Sequence, residues 1–425
     1  MMRNSLRSIG YYTPVDEALS ILLKHVKTVR KIEEIPVLDS VGRVSAETIL
    51  APRHIPAYDS SHMDGFAVRH TDLMEADKNP VKLKVVGTAK PGPRADIILG
   101  PGETVRILTG AFLPEGADSV VPQEEVTVED GWVVFRRKIS PGEYVDRRGF
   151  DISMGEEILS RGHIVRAADA VLLAHLGVWH VRVVKKPVVG LVAVGDELTD
   201  NPGQVVEGKI FNTHTHLVRH LLEASGCIPR YLGIMPDEVT SVGEVIGKSL
   251  EDLDMLITIA GSSVSEKDVA SQVFSKLGAE IFVHGLKLQP GRVGGFAVLK
   301  GKPIVMLPGL IMSTINVFMF LAYPLVRFLQ GLDPRFYHQR VRARIVEDVK
   351  FRKYIDFKKV VWVKLYDDGG DIICRPRPGE SSGMSIPAKT DGFIVADPGV
   401  EIIPANSTVW VNLPPVSYNH KLPYL

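Results

Sequence analysis

The feature that most constrains the fold is an alternation of apolar strands and amphipathic helices that begins after Lys186-Pro187. The run from Val188 to Val194 is continuously apolar, which is typical of a strand buried on both faces of a parallel sheet. Further segments alternate between helix and strand periodicity up to residue 283. They predict helices at 213–225, 241–250 and 268–277, and strands at 230–235, 254–260 and 280–283. This order predicts a doubly wound parallel sheet, in which helices cover both faces.

The regions outside this alternation have a different texture. Thr13-Pro14, followed by two acidic residues, is a good helix start, and residues 146–185 return to a helical pattern. Short alternating runs separated by Gly and Pro predict strands around residues 50–145 and after residue 335. We therefore predict a multi-domain, elongated α/β plus β subunit. Its parts are a helical linker domain (1–50 and 146–185), an inserted β domain (51–145), an α/β domain (186–332) and a small C-terminal β domain (333–425).

Composition excludes several classes of function. The 425 residues contain 50 Lys plus Arg and 50 Asp plus Glu, so no net charge favours nucleic acid or an acidic membrane surface. The two cysteines form no CxxC pair, which argues against a disulfide framework and a structural zinc site. The most apolar window, Leu310 to Val326, is shorter than the ~20 residues that span a bilayer, so we predict a buried helix. With no apolar segment in the first twelve residues, we expect a cytoplasmic location.

A polar segment with the sequence PAYDSSHMDGFAVR occupies residues 56–69. Asp59 and Asp64 lie five positions apart, around two serines and His62. Propensity does not explain the segment, because Asp, Ser and Gly are poor strand formers that here interrupt apolar flanks. Taken alone, it fits equally a solvated turn, in which Asp and Ser cap their own backbone, and a functional site.

A second polar segment, AGSSVSEKD at residues 260–268, follows a predicted buried strand and leads into a helix. Ligands of open α/β sheets bind at the carboxyl ends of the strands, where small residues let backbone N–H groups approach an anion. The segment matches neither the dinucleotide nor the nucleoside triphosphate motif. The alternative is an ordinary loop capped by Ser265 or Asp268.

These segments resemble the signatures of the molybdopterin molybdenumtransferase family, which includes bacterial MoeA and the E domain of gephyrin. Residues 56–69 are similar to its P-x-D-x-S-x-M-D-G-Y/F-A-V-R signature, and residues 260–268 to its G-G-x-S-x-G-x-x-D loop. The resemblance spans essentially the whole chain in collinear order. Further matches are RILTGA and PEGAD (106–118), RGFD (148–151), GDEL (195–198), Asp237 and the serine-glycine element ESSGM (380–384).

The chain departs from the family pattern in the segments that the resemblance implies bind an oxyanion, molybdate or tungstate. The family's K-P-G-K-P appears as QPGRV, with Gln289 and Val293 replacing two residues, and Leu310 and Ile311 replace Asn-Pro. The arginine expected upstream of the serine-glycine element is either replaced by Tyr354 or absent, although Arg352 and Lys353 lie beside it. Loss of the lysine removes a charge-assisted hydrogen bond of roughly 1.5–3 kcal/mol. Ala260 replaces a glycine, which conflicts with a positive φ at that position.

The resemblance implies molybdenum cofactor biosynthesis by a diverged family member. The implied reaction inserts molybdate or tungstate into adenylylated molybdopterin and releases AMP, with Mg²⁺ held by Asp237 and Asp268. The implied partners are a second copy of the chain, whose signature segment completes the cleft of the α/β domain, and the molybdopterin adenylyltransferase. Catalytic roles are implied for Asp59, Asp64, Thr109, Asp151, Glu197, Asp237 and Asp268. Binding of the pterin or oxyanion is implied for Gly261, Ser262, Ser263, Pro290, Gly291, Arg292, Pro308, Gly309, Ser313 and Ser382.

Two other interpretations stay open. A diverged paralogue could bind molybdopterin or a partner protein without inserting metal, which the altered oxyanion residues favour and the retained carboxylates oppose. The second interpretation is adenylyl transfer by the α/β domain alone, but the large N-terminal region that carries the signature argues against it. The residues also leave open whether His62 has a functional or a structural role.

Overall fold

The computed structural model describes residues 12–29, 31–206, 208–260, 267–335 and 339–414, without the side chains of residues 239–242 and 267–271. The chain forms two compact units. The first is Glu34–Val183, and the second contains the described residues before residue 34 and after residue 183.

The first unit is built on a six-stranded sheet that lies within the predicted β domain. Strand Gly65–Val68, which follows the polar signature, is buried on both faces. Phe66 and Val68 pack in one apolar cluster and Ala67 packs in another, as expected for side chains that alternate along a strand. In spatial order the strands are Ser119–Pro122, Gly65–Val68, Glu103–Ile107, Val81–Ala89, Trp132–Phe135 and Val126–Glu129.

The rest of this unit is less helical than the sequence analysis predicted for residues 146–185. It contains the α-helix Ala167–His175, and its other pairings are short two-stranded sheets. The helical pattern was therefore correct only for one short segment, because the flanking residues find strand partners elsewhere in the chain. The pairs are Ile32–Pro36 with His180–Val184, Ile49–Leu50 with Glu157–Leu159, and Ser60–Ser61 with Val145–Asp146.

The second unit contains the predicted α/β sheet. The first four strands of its spatial order are parallel, and buried clusters with helices lie on both faces. The sheet is not entirely parallel, because Gly295–Leu299 forms an antiparallel hairpin with Lys302–Leu307. Lys300 (φ 53°) and Gly301 (φ 69°) make the two-residue turn with positive φ that such hairpins favour. The spatial order is Ile228–Met235, Val188–Val194, Met255–Ile259, Lys302–Leu307, Gly295–Leu299 and Ile281–His284.

Helices complete this α/β region. Helix Val15–His25 buries Val15, Ala18 and Leu22 in the cluster that also contains the sheet residues Val189 and Leu191. The prediction that this helix belongs with residues 146–185 is therefore wrong, because an amphipathic pattern shows which face is buried but not what covers it. The other helices are Thr213–Ala224, Val239–Ser249, Lys267–Lys276, Ile311–Val317 and Tyr323–Leu329.

The segment Ile311–Leu329 is the core helix of this unit. It is the one described helix long and apolar enough to cross a membrane, and 83% of its most apolar window is buried inside the protein. This burial confirms the prediction of a buried helix at 310–326. The turn Phe318–Ala322 is π-helical. Pro324, which lacks a backbone N–H, follows this widened turn.

The C-terminal part of the second unit is a six-stranded sheet that closes on itself, because Gly392–Ala396 pairs with both Lys358–Asp368 and Thr408–Asn412. Leu288–Gln289, which follows the α/β strand Ile281–His284 in the chain, joins its edge by a parallel pairing. In spatial order the strands are Leu288–Gln289, Lys358–Asp368, Asp371–Pro376, Arg340–Ile345, Thr408–Asn412 and Gly392–Ala396. The smaller C-terminal elements are the helix Ser385–Ala388 and the pairing of Val349–Lys350 with Ile402–Ile403. Earlier in the same unit, Leu198–Thr199 pairs with Ile210–Phe211.

Candidate functional site

Asp59 of the signature is fixed by two hydrogen bonds from the RGFD region. Arg147 Nη1 donates to its carboxylate at 2.6 Å and the backbone N–H of Arg148 donates at 2.9 Å. Partial burial raises the pKa of Asp59, but these hydrogen bonds and the charge of Arg147 outweigh that effect and bring the pKa below its ordinary value. The side chain keeps 35% of its surface exposed, so an ionised carboxylate remains accessible to a ligand.

Asp64 is held by the second N-terminal motif. Thr109 donates to Asp64 Oδ1 from both its backbone N–H and its hydroxyl, each at 2.7 Å, and these bonds lower the pKa of Asp64. Gly65 allows this arrangement, since a Cβ there would lie 2.1 Å from the carbonyl oxygen of Val121. The two motifs that the sequence analysis singled out separately, residues 56–69 and 106–118, are therefore in direct contact in the first unit.

The other N-terminal candidates are more exposed. The backbone N–H of Asp151 donates to the carbonyl of Ile55 at 3.0 Å, while its exposed carboxylate accepts no hydrogen bond within the described part of the chain. His62 Nδ1 pairs with Asp146 at 3.1 Å, and the His62 side chain is 61% exposed. His62 thus interacts with Asp146, a residue that the sequence analysis did not consider.

The acidic candidates of the second unit follow three adjacent parallel strands. Glu197 follows Val188–Val194, Asp237 follows Ile228–Met235, and the helix that carries Asp268 follows Met255–Ile259. Since parallel strands end at the same edge, the topology brings these three positions to the carboxyl edge of the sheet. A Cβ on Gly195 would lie 2.7 Å from Glu197 Oε2, so this glycine lets the Glu197 carboxylate fold back over the strand end.

Two parts of the predicted site lie outside the described residues. They are the loop residues Gly261, Ser262 and Ser263 and the side chain of Asp268. Within the part of the chain that the structure describes, no group of three or more His, Cys, Asp or Glu side chains could hold a metal ion. Magnesium ligation by Asp237 and Asp268 therefore stays a prediction.

The strand end at Ala260 is strained. Ala260 has φ 65°, the left-handed conformation that favours glycine. The sequence analysis noted that alanine, which replaces a family glycine here, conflicts with a positive φ, and the structure has that conflict. Its N–H donates to the carbonyl of Leu307 at 3.0 Å, which places Ala260 beside the Pro308-Gly309 turn; a Cβ on Gly309 would lie 3.1 Å from the Ala260 Cβ.

The Pro308-Gly309 turn leads into the core helix next to the serine-glycine element. The N–H of Met312 donates to the carbonyl of Ser381 at 3.0 Å. Ser313 is buried, whereas Ser382 is exposed. Of the two residues that replace Asn-Pro, Ile311 is buried in the core cluster and Leu310 is 47% exposed. The exposed Ser382 is thus the more accessible of the two predicted serines.

The QPGRV segment is anchored through its proline. The Gln289–Pro290 peptide is cis, and the Pro290 carbonyl accepts a hydrogen bond from Asn316 Nδ2 at 3.0 Å. Asn316 in turn accepts from Trp362 Nε1 at 3.2 Å, and both side chains are buried. A Cβ on Gly291 would lie 3.0 Å from Leu288 Cδ2. The segment is thus fixed by the core helix on one side and by the C-terminal sheet on the other.

Arg292 is held by Tyr354. The tyrosine oxygen lies 2.5 Å from Arg292 Nη1, and the guanidinium carbon lies 4.8 Å from the centre of the ring. Tyr354 itself has φ 53°, a strained conformation for a non-glycine residue. The carbonyl of Val293 accepts a hydrogen bond from His284 Nε2 at 3.0 Å. The residue that replaces the expected family arginine therefore orients the remaining cation of the motif.

Lys359 lies beside the QPGRV segment and was not among the residues that the sequence analysis singled out. The residue is 4% exposed, and Nζ donates to Gln289 Oε1 at 3.0 Å and to the carbonyl of Lys353 at 2.6 Å. Burial lowers the pKa of Lys359, although the charge of Asp356 opposes this shift. A lysine amine therefore lies next to position 289, where the family motif has a lysine. The signal in the sequence is a lysine that directly precedes the apolar run VVWV.

Comparisons with known proteins agree with this architecture. Residues 13–177 match the family model of the MoeA N-terminal region (domain I and II), and residues 190–327 match a probable molybdopterin binding domain. The chain is 31% identical to the molybdopterin molybdenumtransferase of Bacillus subtilis (strain 168) over 94% of both chains. It is 32% identical to the enzyme of the same name from Haemophilus influenzae, over 75% of this chain and 78% of that one.

A solved structure is also similar. The molybdopterin biosynthesis MoeA protein of Pyrococcus horikoshii OT3 matches with a TM-score of 0.81 at 26% identity, covering 95% of this chain and 100% of that one. The fold and these relatives together define a multi-domain α/β plus β enzyme of molybdenum cofactor biosynthesis. The chain belongs to the molybdopterin molybdenumtransferase family.

Proposed function

We propose that this protein inserts molybdate or tungstate into adenylylated molybdopterin and releases AMP. The observation that carries the proposal is the pair of cations, Arg292 and Lys359, that flank the ring of Tyr354 beside the Pro290 turn. Molybdate and tungstate are tetrahedral dianions, and the substrate carries phosphates. Cations held in place before the anions arrive stabilise them without reorganisation. This arrangement supports an enzyme rather than a non-catalytic paralogue, since the charge lost at position 289 is restored.

The carboxylates would serve the pterin and Mg²⁺. Mg²⁺ prefers oxygen ligands and is commonly held by one or two carboxylates together with substrate phosphates. Asp237 and Asp268, at the carboxyl edge of the α/β sheet, offer such oxygen donors. Bound there, Mg²⁺ would neutralise phosphate charge and polarise the phosphoryl bond. Glu197 and the aspartates Asp59, Asp64 and Asp151 would orient the pterin or accept protons, and Thr109 would hold Asp64 in place.

We further propose a cytoplasmic homodimer. The signature carboxylates lie in one compact unit of the chain and the cations lie in the other. The resemblance implies that the signature segment of one subunit serves the α/β domain of its partner. The same resemblance implies that adenylylated molybdopterin is received from the adenylyltransferase that makes it.

An insertion assay tests the reaction directly. Purified protein is mixed with adenylylated molybdopterin, Mg²⁺ and either molybdate or tungstate, and AMP release is followed by chromatography. We expect AMP release with at least one oxyanion and none without Mg²⁺. Absence of release with both oxyanions, together with saturable molybdopterin binding, would instead establish the non-catalytic paralogue.

A further inference from the structure

A basic recess lies in the C-terminal sheet, outside the residues assigned above. It has a volume of about 380 Å³, and four of its lining side chains are cations. The lining residues are Lys364, Tyr366, Arg375, Pro376, Arg377 and Lys389.

The sheet register explains why these cations converge. Lys364 and Arg375 are direct partners in the antiparallel pairing of Lys358–Asp368 with Asp371–Pro376, so their side chains share one face. The N–H of Arg377 donates to the carbonyl of Trp362 at 2.9 Å, which continues that register and keeps Arg377 on the face of Arg375. Lys389 enters from the chain that follows the helix Ser385–Ala388.

The charge of this recess is only partly balanced. Lys364 Nζ donates to Asp391 at 2.6 Å, and the Asp391 carboxylate also accepts from the N–H of Leu365 at 2.8 Å. Arg375, Arg377 and Lys389 form no ion pair with any carboxylate among the described residues. Like charges directly opposite each other destabilise a sheet, so Lys364 and Arg375 carry a cost that a bound anion would remove.

We propose that this recess binds the phosphate group of a small molecule. A concave site of this size with several convergent donors suits a small tetrahedral anion, whereas an acidic protein surface would need an extended basic face. Tyr366, which is 44% exposed, lines the recess and offers an aromatic face to a ring attached to the phosphate. Arg377 also lines the neighbouring recess that contains Pro290 and Trp362, so the phosphate would lie next to the QPGRV turn.

Calorimetric titration with pyrophosphate and with inorganic phosphate tests this proposal. The titrations use an Arg292→Ala, Lys359→Gln background, so that anions bound at the predicted oxyanion site do not contribute. We expect the Arg375→Ala, Lys389→Ala double variant to bind at least about tenfold more weakly, the equivalent of one charge-assisted hydrogen bond. Arg342→Ala is the matched control, because Arg342 is an exposed arginine of the same sheet that lies over Trp410 outside the recess.

Thermal melting gives a second readout that a folding defect would not imitate. Phosphate should raise the melting temperature of the Arg292→Ala, Lys359→Gln background and of its Arg342→Ala derivative, but not that of the double variant made in the same background. Without phosphate, the double variant should melt no lower than this background, because a repulsion has been removed. If the double variant does not fold, the single variant Lys389→Glu at an exposed position takes its place. Equal affinities in variant and control, or no saturable binding by the background protein, would overturn the proposal.

AMP and adenosine separate the phosphate from the attached ring. We expect AMP to bind at least as tightly as inorganic phosphate and adenosine not to bind. Binding of adenosine alone would contradict a site based on phosphate. These outcomes do not depend on AMP release in the insertion assay, so the two proposals can fail separately.

Discussion

Lys359 and Gln289 are direct partners in the parallel pairing between Leu288–Gln289 and Lys358–Asp368, and Lys359 Nζ donates to Gln289 Oε1 at 3.0 Å. A neutral residue therefore stands where the family motif has a lysine, and the lysine amine reaches the same place from the adjacent strand. Arg292 and Lys359 lie 4.8 Å and 5.7 Å from the centre of the Tyr354 ring. Two cations thus face one aromatic ring at the predicted oxyanion site.

Replacing Lys359 by Gln should weaken binding of the oxyanion substrate, molybdate or tungstate. Loss of one charge-assisted hydrogen bond, roughly 1.5–3 kcal/mol, corresponds to an increase of about 10- to 100-fold in the KM for molybdate or tungstate. Steady-state AMP release at varied oxyanion concentration measures this change. Lys358→Gln is the control, since the adjacent Lys358 pairs with Asp16 at 2.7 Å, and its KM should stay within about twofold. Equal effects of both substitutions would contradict a specific role of Lys359.

The same lysine should set an alkaline limit to activity. Because burial lowers the pKa of Lys359, the amine loses its proton at a lower pH than an exposed lysine does. Activity should therefore fall as the pH rises towards this lowered pKa. Lys359→Arg should remain active at higher pH, since arginine stays charged. Superimposable alkaline limbs of the two pH profiles would show that Lys359 does not titrate in this range.

Mixing two inactive variants should restore activity if the cleft is shared between subunits. Asp59→Asn and Asp268→Asn should each abolish turnover while leaving the circular dichroism spectrum unchanged. Subunits exchanged at equal ratio give heterodimers in which one cleft is intact, so about a quarter of wild-type AMP release should return. No recovery, in mixtures shown to contain heterodimers, would place both residues in the same subunit's cleft.

Replacing Ala260 by Gly should stabilise the second unit. A non-glycine residue at φ 65° costs about 1–2 kcal/mol, part of which is offset by the greater freedom of glycine in the unfolded chain. We expect a gain of about 0.5–1 kcal/mol in the free energy of unfolding, measured by urea denaturation. Ala405→Gly is the control: Ala405 has a negative φ, and glycine there should be destabilising by about 0.5–1 kcal/mol. A loss of stability in Ala260→Gly would mean that the left-handed conformation carries no net cost.

Replacing Asp169 by Asn should destabilise the first unit. The Asp169 side chain is 8% exposed and accepts from Arg166 Nη2 and His163 Nε2, both at 2.7 Å. Arg166 is the main cause of the strong lowering of the Asp169 pKa. We expect a loss of about 1–3 kcal/mol at pH 7, measured by urea denaturation. Asp146→Asn, which breaks the exposed pair with His62, should cost less than about 1 kcal/mol. Equal losses would show that burial of the Asp169 pair contributes nothing.

The pH dependence of this contribution has a definite sign. A carboxylate whose pKa is lower in the folded state stabilises the protein at pH values above its unfolded pKa. That contribution disappears as the pH falls through the lower folded pKa. The stability difference between wild type and Asp169→Asn should therefore be constant near neutral pH and shrink below about pH 4. A difference that grew on acidification would contradict the assignment.

The sequence by itself determined the elements whose signals are local. Val188 to Val194 could be predicted as a strand because continuous apolar side chains bury both faces. Residues 310–326 could be predicted as a buried helix because they are apolar but too short to span a bilayer, and the structure has both elements. The signature residues 56–69 could also be identified from the sequence, since a motif is defined by the order and spacing of its residues. Contact of Asp64 with Thr109 required the fold, although both positions had been singled out.

Only the tertiary structure decided which distant segments become neighbours. The pairing of Gln289 with Lys359 connects two strands through the C-terminal sheet, and neither periodicity nor propensity records such a partner. The partner of helix Val15–His25 was likewise not recorded in the sequence, because its apolar stripe fits any apolar surface. The sequence analysis placed the helix with residues 146–185, whereas it packs on the α/β sheet. Local patterns fix the burial of a side chain, whereas the partner depends on the packing of the whole unit. The sequence therefore showed that a family lysine had been lost, and only the fold showed that the Lys359 amine lies beside the residue that replaced it.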